Sequence, residues 1–489
     1  MGYVVIDFGT SSCRASFVSD EGCIEAFRQR PCAPKVSGAK AEMELDEIWG
    51  IASSVLSDLM EEVDSSAVSM VGVSALFGYC FLDGHNNPIA PAQIWMDSRA
   101  ASEAAELQTL FGNEETFARF GRRVTPELLA PRLLWMKRNE PEKAKTIHLV
   151  YGIKDEIVRQ LTGTIATDVA HLDYSLLWNG RKRSMDTDMA AASGVPLTRL
   201  PSGHLAHQVI GKVTPEAARR TGLSQGTPVI AGTSDGTAAM YGGGILRTGH
   251  GAMVSGTTDV LMALSPVFPE DPTGTLSVNT GMVANTFAVG GSTGISGGAL
   301  MHAAGLLDGS MDELMLKVES LPAGADGLLA LPGLTGERAP YWMPHATGGF
   351  LGFSLAHKGE HILKATMEAC CYRIKRLLLT LNQSGVTPET IQMVGGGARN
   401  GVWNQIRADI LGMPVIRLSE VEASTSGIAL FCRMADQGKV DDTITWNPGE
   451  ETYSPNPQNT QHYEALFEMF EGVLKSSGLD SKTPKEIRP

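Results

Sequence analysis

The sequence predicts an α/β protein built from two similar domains with a cleft between them. Three observations carry this: one hairpin design occurs twice, half a chain apart; strands run into glycine-rich turns and then helices; and 489 residues exceed what one core holds. The first hairpin is Tyr3 to Val18, YVVIDFGTSSCRASFV, in which VVID is β-branched enough for a buried strand and RASFV alternates as its antiparallel partner. The second is Met253 to Leu264, MVSGTTDVLMAL, where Gly256-Thr257-Thr258 echoes Gly9-Thr10-Ser11.

The turns have the chemistry of an anion cradle. Gly9 lets a ligand approach the backbone, and the N–H and hydroxyl groups of Thr10, Ser11 and Ser12 can hydrogen-bond it. Asp7, at the end of the first strand, can hold Mg²⁺ through water. Alone, the stretch reads equally well as a plain turn. Paired with its copy, it predicts two domains that each offer a phosphate-binding turn to one nucleotide between them.

Between the hairpins, Asp46 is expected to cap a helix that buries Ile48, Ile51, Val55, Leu56 and Leu59. Val68 to Leu76 reads as a buried strand with Phe77-Gly78-Tyr79 at its carboxyl end, where ligands sit in open α/β sheets. Tyr79 reads as core, and Phe77 as either core or a site wall. In PAQIWMDSR (91–99), Asp97 reads either as the ion-pair partner of Arg99 or as a carboxylate that accepts from a polyol's hydroxyls beside Trp95. Residues 126–175 read as mostly helical, with Thr167-Asp168 opening a loop toward the cleft. Asp235 stands at a strand-to-helix junction, Gly232-Thr233-Ser234-Asp235-Gly236, and is expected to face the cleft; an N-cap role is the alternative. Gly242-Gly243-Gly244 marks the expected boundary, giving domains over 1–243 and 244–489.

In the second half, GGSTGISGG (290–298) precedes a helix from Ala299 to Leu307, LTGERAPYW (334–342) places Glu337 beside Arg338, and His361 to Leu381 is a long core helix. The stretch IQMVGGGARNGVWNQIRADIL (391–411) reads as a strand, three glycines and a helix from near Val402. Such glycines leave room for a flat ring and ribose against bare backbone, although neither the P-loop lysine nor the GxGxxG spacing is present. Tyr463, Leu466, Phe467, Phe470, Val473 and Leu474 form an amphipathic stripe that docks the C-terminus, and the residues after Ser476 read as loose.

Composition narrows the partners. A net charge of −14 argues against nucleic acid and anionic membrane, while local amides and a metal ion still suffice for ATP. Seven cysteines without a CxxC pair or zinc spacing read as reduced packing residues. No stretch is long enough for a membrane span and the chain opens on a strand, so a cytoplasmic protein is expected.

The ordered series IDFGTSSCR, IWMDSRA, KDEIVRQLTGTIATD, AGTSDG, SGTTD, LTGERAPYW and VGGGARNGVWNQIRADILGMPV, followed by Glu422-Ala423, resembles the FGGY family of carbohydrate kinases over nearly the whole chain. The resemblance implies two ribonuclease-H-like domains of the actin, Hsp70 and sugar-kinase superfold, with ATP, Mg²⁺ and a small sugar in the interdomain cleft. By position it implies Asp7 in the magnesium region and Thr10, Ser11, Ser12 and Arg14 in the first phosphate loop. Gly256, Thr257 and Thr258 would form the second loop, and Gly396, Gly397, Ala398, Arg399 and Asn400 would border adenosine. Asp97 and Asp235, with Phe77 and Gly78, would contact the sugar, and Asp235 would accept the proton of the attacking hydroxyl. Transfer of a γ-phosphoryl group to an alcohol needs in-line positioning, charge neutralisation and one carboxylate near the nucleophile.

Departures from the family pattern concern the substrate. Leu76 and Phe77 stand where xylulose kinases have Met-His, the Arg-Glu pair of glycerol kinases is absent, and AGTSDG and GISGG are similar to gluconate-type members. The expected reaction is ATP-dependent phosphorylation of a primary hydroxyl of a ketopentose such as D-xylulose, with an aldonate or polyol next. A chaperone- or filament-type ATPase is the alternative class, yet no separate partner-binding domain is visible after residue 435. A sugar-responsive protein without catalysis would be expected to lack Asp235. A homodimer is left open.

Overall fold

The computed structural model describes residues 1–194, 199–283, 285–331, 333–420, 422–438 and 446–476; the segment after Ser476, expected to be loose, lies outside them. In the first half, β1 (Gly2–Phe8), β2 (Ser12–Ser19) and β3 (Ile24–Pro31) form an antiparallel meander. β4 (Lys35–Ser37) and β5 (Lys40–Met43) lead into α1 (Leu45–Met60), and β6 (Val68–Ala75) then pairs in parallel with β1. β7 (Gly78–Leu82), β8 (Pro88–Ile94) and β9 (Leu149–Gly152) join β4 and β5 in a separate five-stranded sheet. α2 (Ile153–Thr162) and α3 (Val169–Ser175) precede β10 (Val209–Lys212), β11 (Pro228–Ile230) and α4 (Asp235–Gly242). The main sheet runs β10-β11-β6-β1-β2-β3, with Thr233–Ser234 pairing onto β6.

The second half repeats the plan. Its strands are β12 (His250–Ser255), β13 (Thr258–Ser265), β14 (Ser277–Thr280), β15 (Phe287–Ile295), β16 (Thr390–Val394), β17 (Val415–Leu418) and β18 (Gly449–Tyr453). Its main helices are α5 (Gly359–Gln383), α6 (Gly401–Leu411), α7 (Ala423–Gln437) and α8 (Pro457–Ser476). The sheet order is β14-β15-β13-β12-β16-β17-β18. β1 sits between an antiparallel hairpin partner, β2, and a parallel strand, β6; β12 sits in the same way between β13 and β16. Every residue of β1 is buried, which is why its sequence is a continuous apolar run interrupted only by Asp7.

Local rules explain where elements start. Glu44 precedes α1 and no side chain caps it; Asp46 lies inside the first turn, where its charge favours the helix N-terminus, so the expected cap is displaced by two residues. The helical reading of 126–175 is interrupted by β9, whose Val150 and Tyr151 are buried and pair with β7. α6 starts at Gly401 because the Asn400 side chain accepts from the Trp403 N–H. The seven cysteines are free, six of them buried. Among the described residues, no helix is long and apolar enough to cross a membrane.

The halves meet where α4 crosses α7. α7 packs on β1 and β6 of the first sheet, with Ile428, Phe431 and Cys432 in one core with Tyr3, Val5 and Ile230. Two glycines permit the approach: a Cβ at Gly427 would lie 1.9 Å from the Ala238 carbonyl oxygen, and one at Gly242 would lie 2.0 Å from that of Ala423. Gly427→Ala is therefore expected to cost about 1–3 kcal/mol by forcing these backbones apart. Gly50→Ala, in α1 with open space around it, should instead gain up to about 1 kcal/mol. Urea unfolding of both variants checks this, and a Gly427→Ala protein as stable as the parent would contradict the packing account.

Candidate active site

The first wall is built by strand register. Asp7 is opposite Arg14 on β2 and Ser74 on β6. Its carboxylate accepts from Ser74 Oγ at 2.7 Å, from Ser424 Oγ at the start of α7 at 2.9 Å, and from Arg14 Nη1 at 3.4 Å. The turn closes through the Gly9 N–H to Ser12 O at 2.9 Å, and Thr10 Oγ1 accepts from the half-exposed Trp95 Nε1 at 3.1 Å. Asp7, Thr10, Ser11, Ser12, Arg14, Asp235 and Ser424 line one open cleft of about 390 Å³.

Asp235 is the first residue of α4, not its cap. Ser234 caps the helix by accepting from the Thr237 N–H at 3.4 Å, which leaves Asp235 at the cleft with Oδ1 accepting from the Gly236 N–H at 2.6 Å. Burial, and then the charge of Asp7, push its carboxyl up to about 7. Two carboxylates in one cleft favour a cation between them. No group of three or more His, Cys, Asp or Glu among the described residues could hold a metal ion. An ion here would complete its shell with water and ligand oxygens, which suits Mg²⁺.

The matching turn of the second half lies between β12 and β13 and is closed by the Gly256 N–H to Thr258 O at 3.0 Å, with Val254 of β12 reaching the cleft lining. The glycine-dense 290–298 stretch buttresses it: Thr257 O accepts from the Ser296 and Gly298 N–H groups, and a Cβ at Gly297 would lie 2.3 Å from Gly256 O. Arg407, fully buried on α6, donates to Ser255 Oγ at 2.7 Å and to Gly397 O at 3.2 Å, so it ties this hairpin to the glycine loop. Gly395 has φ 85°, and a Cβ at Gly397 would lie 2.2 Å from Ser255 Oγ. Gly396 faces open space. Exposed Arg399 lies 3.9 Å from Glu422, which also lies 3.8 Å from Arg14 across the cleft. The Ala398 side chain is core, and the Asn400 side chain is spent on capping α6.

The residues expected at the sugar divide. Asp97 is 1% exposed and saturated by Ala41 N–H at 2.8 Å and by Arg99, which also binds Glu42. Burial alone would raise its pKa, but the Arg99 and Ala41 hydrogen bonds hold it below the usual carboxylate range. This is the ion-pair arrangement, and it is internal. Gly78 is a packing residue, since a Cβ there would meet Ile153 Cδ1 at 2.8 Å. Phe77 is half-buried and packs on Tyr174, with ring centroids 4.5 Å apart. Tyr174 lines a second cavity of about 240 Å³ that meets the cleft at Gly236, Ala239 and Val254. Asp168 does not open a loop; it caps α3 and is buried against Lys154 at 3.1 Å, Thr233 Oγ1 at 3.0 Å and His171 Nδ1 at 2.6 Å. Glu337 pairs with buried Arg373 rather than with Arg338, which faces Glu127 at 3.8 Å.

Sequence reasoning missed Ser424, Arg407, Tyr174 and the Arg122-Arg123 pair. The pair has a local signal: two adjacent arginines directly after Gly121, the left-handed end of the helix Ala101–Phe120.

The profile for the FGGY family of carbohydrate kinases, N-terminal domain, matches residues 2–242, and that for its C-terminal domain matches 251–435. A xylulose kinase of Bacillus subtilis strain 168 is 26% identical over 97% of this chain and 97% of its own length. A gluconokinase of Bacillus licheniformis is 26% identical over 95% of this chain and 94% of its own. The crystal structure of a xylulose kinase from Rhodospirillum rubrum superposes with a TM-score of 0.88 at 28% identity, over 96% of this chain and 98% of that one.

Asp235 should titrate near pH 7 in the free protein, and Asp7→Asn should move the midpoint down, as ¹³C NMR of labelled aspartate can read. The folded chain then keeps a proton that the unfolded chain releases near pH 4, so this group's contribution to stability falls as pH rises from about 4 to about 7. A midpoint near 4 in the folded protein would contradict the assignment.

Proposed function

This chain belongs to the FGGY family of carbohydrate kinases, and on that premise we propose that it phosphorylates a primary hydroxyl of a small carbohydrate in the cleft between its two hairpins. The observation that carries this reading is that Asp7, the first hairpin turn and Asp235 line one cleft. The two bodies over 1–243 and 244–489 act as domains closing on ATP, in the cytoplasm where ATP is available.

Thr10, Ser11, Ser12 and Arg14 cradle the phosphates from one side, and Gly256, Thr257 and Thr258 from the other. The nucleoside lies along Gly396 and Gly397, with the backbone of Ala398 and Asn400 beside it and Arg399 at its edge. Mg²⁺, held by Asp7 through water, would supply charge neutralisation on the phosphates. The sugar occupies the cavity that begins at Gly236, with Tyr174 as a wall set by Phe77 behind it, while Gly78 and Asp97 keep the surrounding sheet in place. Asp235 accepts the hydroxyl proton as the oxygen attacks the γ-phosphorus in line. A carboxyl near 7 is matched to that task, being about half ionised at neutral pH yet basic enough to take a proton. Burying the reacting groups between the hairpins keeps water from the γ-phosphate. The names of the relatives offer two acceptor classes, the ketopentose expected from sequence and an aldonate.

Asp235→Ala should lower kcat by about 10²–10⁴-fold while leaving ATP affinity within about threefold of the parent. Steady-state ADP release and nucleotide titration measure both; turnover within about tenfold of the parent would exclude Asp235 as the base.

A further inference from the structure

The cavity that adjoins Gly236 concentrates positive charge in an otherwise acidic molecule. The chain carries a net charge of −14, yet Arg122, Arg123 and Arg338 line this cavity against one carboxylate, Glu127. Arg122 is 5% exposed. Its Nε donates to Phe120 O at 3.2 Å, its Nη2 donates to Val278 O at 2.7 Å and to Asn279 Oδ1, and its guanidinium lies 4.2 Å from the Tyr174 ring centroid. Among the described residues, no carboxylate is within ion-pairing distance of Arg122, and its Nη1 has no hydrogen-bond partner. Arg123 repeats the pattern: Nε and Nη2 donate to Gly274 O and Thr273 O, both at 2.9 Å, and Nη1 is unpartnered among the described residues.

The acids nearby are committed elsewhere. Asp173 accepts from the Thr280 N–H at 2.5 Å and from Thr280 Oγ1 at 3.1 Å. Asp271 accepts from Thr273 and Leu276, and Glu127 faces Arg338. Arg122 makes no ion pair among the described residues: the charge of buried Asp173 reaches it only from beyond contact distance, and the neutral carbonyls and Tyr174 ring it touches offset only part of the cost of burying a guanidinium. The first hairpin turn, Thr10 to Ser12, lines the other cavity and not this one.

We propose that the acceptor is an acidic sugar, a polyhydroxy carboxylate whose carboxylate docks on Arg122, with Arg123 and Arg338 beside it, while its far primary hydroxyl reaches Asp235. The inference rests on the kinase reading of the same cleft. Planar guanidinium donors match a carboxylate in a way they do not match a ketose or an alditol. In the step itself, the hydroxyl oxygen bonds to the γ-phosphorus as its bond to the bridging oxygen breaks. ADP leaves with that electron pair, Asp235 takes the hydroxyl proton, and the carboxylate on Arg122 is unchanged.

The test measures ADP release with matched five- and six-carbon sets, each an aldonate, its alditol and the corresponding ketose. The parent should show kcat/KM for the best aldonate about a hundredfold above its neutral counterparts, the discrimination of one charge-assisted pair. Arg122→Gln should erase that margin, read as the ratio of aldonate to neutral-acceptor kcat/KM within the same variant. Arg122 also holds backbone carbonyls, so half-exposed Arg338→Gln serves as a second variant that leaves those bonds intact and should lower aldonate kcat/KM about fivefold. A neutral acceptor used as well as or better than the aldonate overturns the proposal and leaves the kinase reading standing, as do variants that keep the parent's preference. ADP release that no acceptor raises above the ATP-only rate overturns the kinase reading and the proposal with it.

Discussion

The crossing of α4 and α7 is the constraint on which the rest of the structure depends. Each helix belongs in sequence to a different half, and each begins at the cleft: Asp235 opens α4, and Ser424 stands in the first turn of α7, bonded to Asp7. The backbones can approach only because Gly242 and Gly427 present no side chain at the contact. One packing event therefore joins the two sheets and brings Asp7, Asp235 and Ser424 to one cavity. A rigid, dry contact of this kind transmits small displacements, because close-packed backbones do not deform continuously.

Electrostatics divides the cleft into two regions. On the hairpin side, Asp7 and Asp235 oppose one another and burial raises Asp235, so that region favours a cation and a proton-accepting carboxyl. Beyond Gly236 the sign reverses: buried Arg122 and partly buried Arg123 are held by neutral carbonyls and each keeps one Nη without a partner among the described residues. Asp235 stands at the junction. A substrate that is an alcohol at one end and an anion at the other matches that gradient.

What could be read from sequence was local. The two hairpins, the strand-to-helix position of Asp235 and the glycine loop at 395–397 are visible because a few adjacent residues carry both the geometry and the chemistry. Ser424 reaches Asp7 from 417 residues away, and Arg407 reaches Ser255 from 152, so only folding reveals them. Asp97 shows the converse. An acid two residues before an arginine fits a ligand or an ion pair equally well in sequence, and the distinction lies in the Ala41 N–H and Glu42 contacts that a neighbouring strand supplies. Asp46 stands two residues past the cap position, Glu44, because helix ends depend on backbone angles that a side chain's type only biases.

The central claim is that the two hairpins act on one nucleotide. A crystal structure of the chain with a non-hydrolysable ATP analogue and Mg²⁺ tests it most directly. The account predicts the terminal phosphates between Thr10–Ser12 and Thr257–Thr258, with the γ-phosphorus facing Asp235. Phosphates held by one hairpin alone, with the other turn facing solvent, would contradict it.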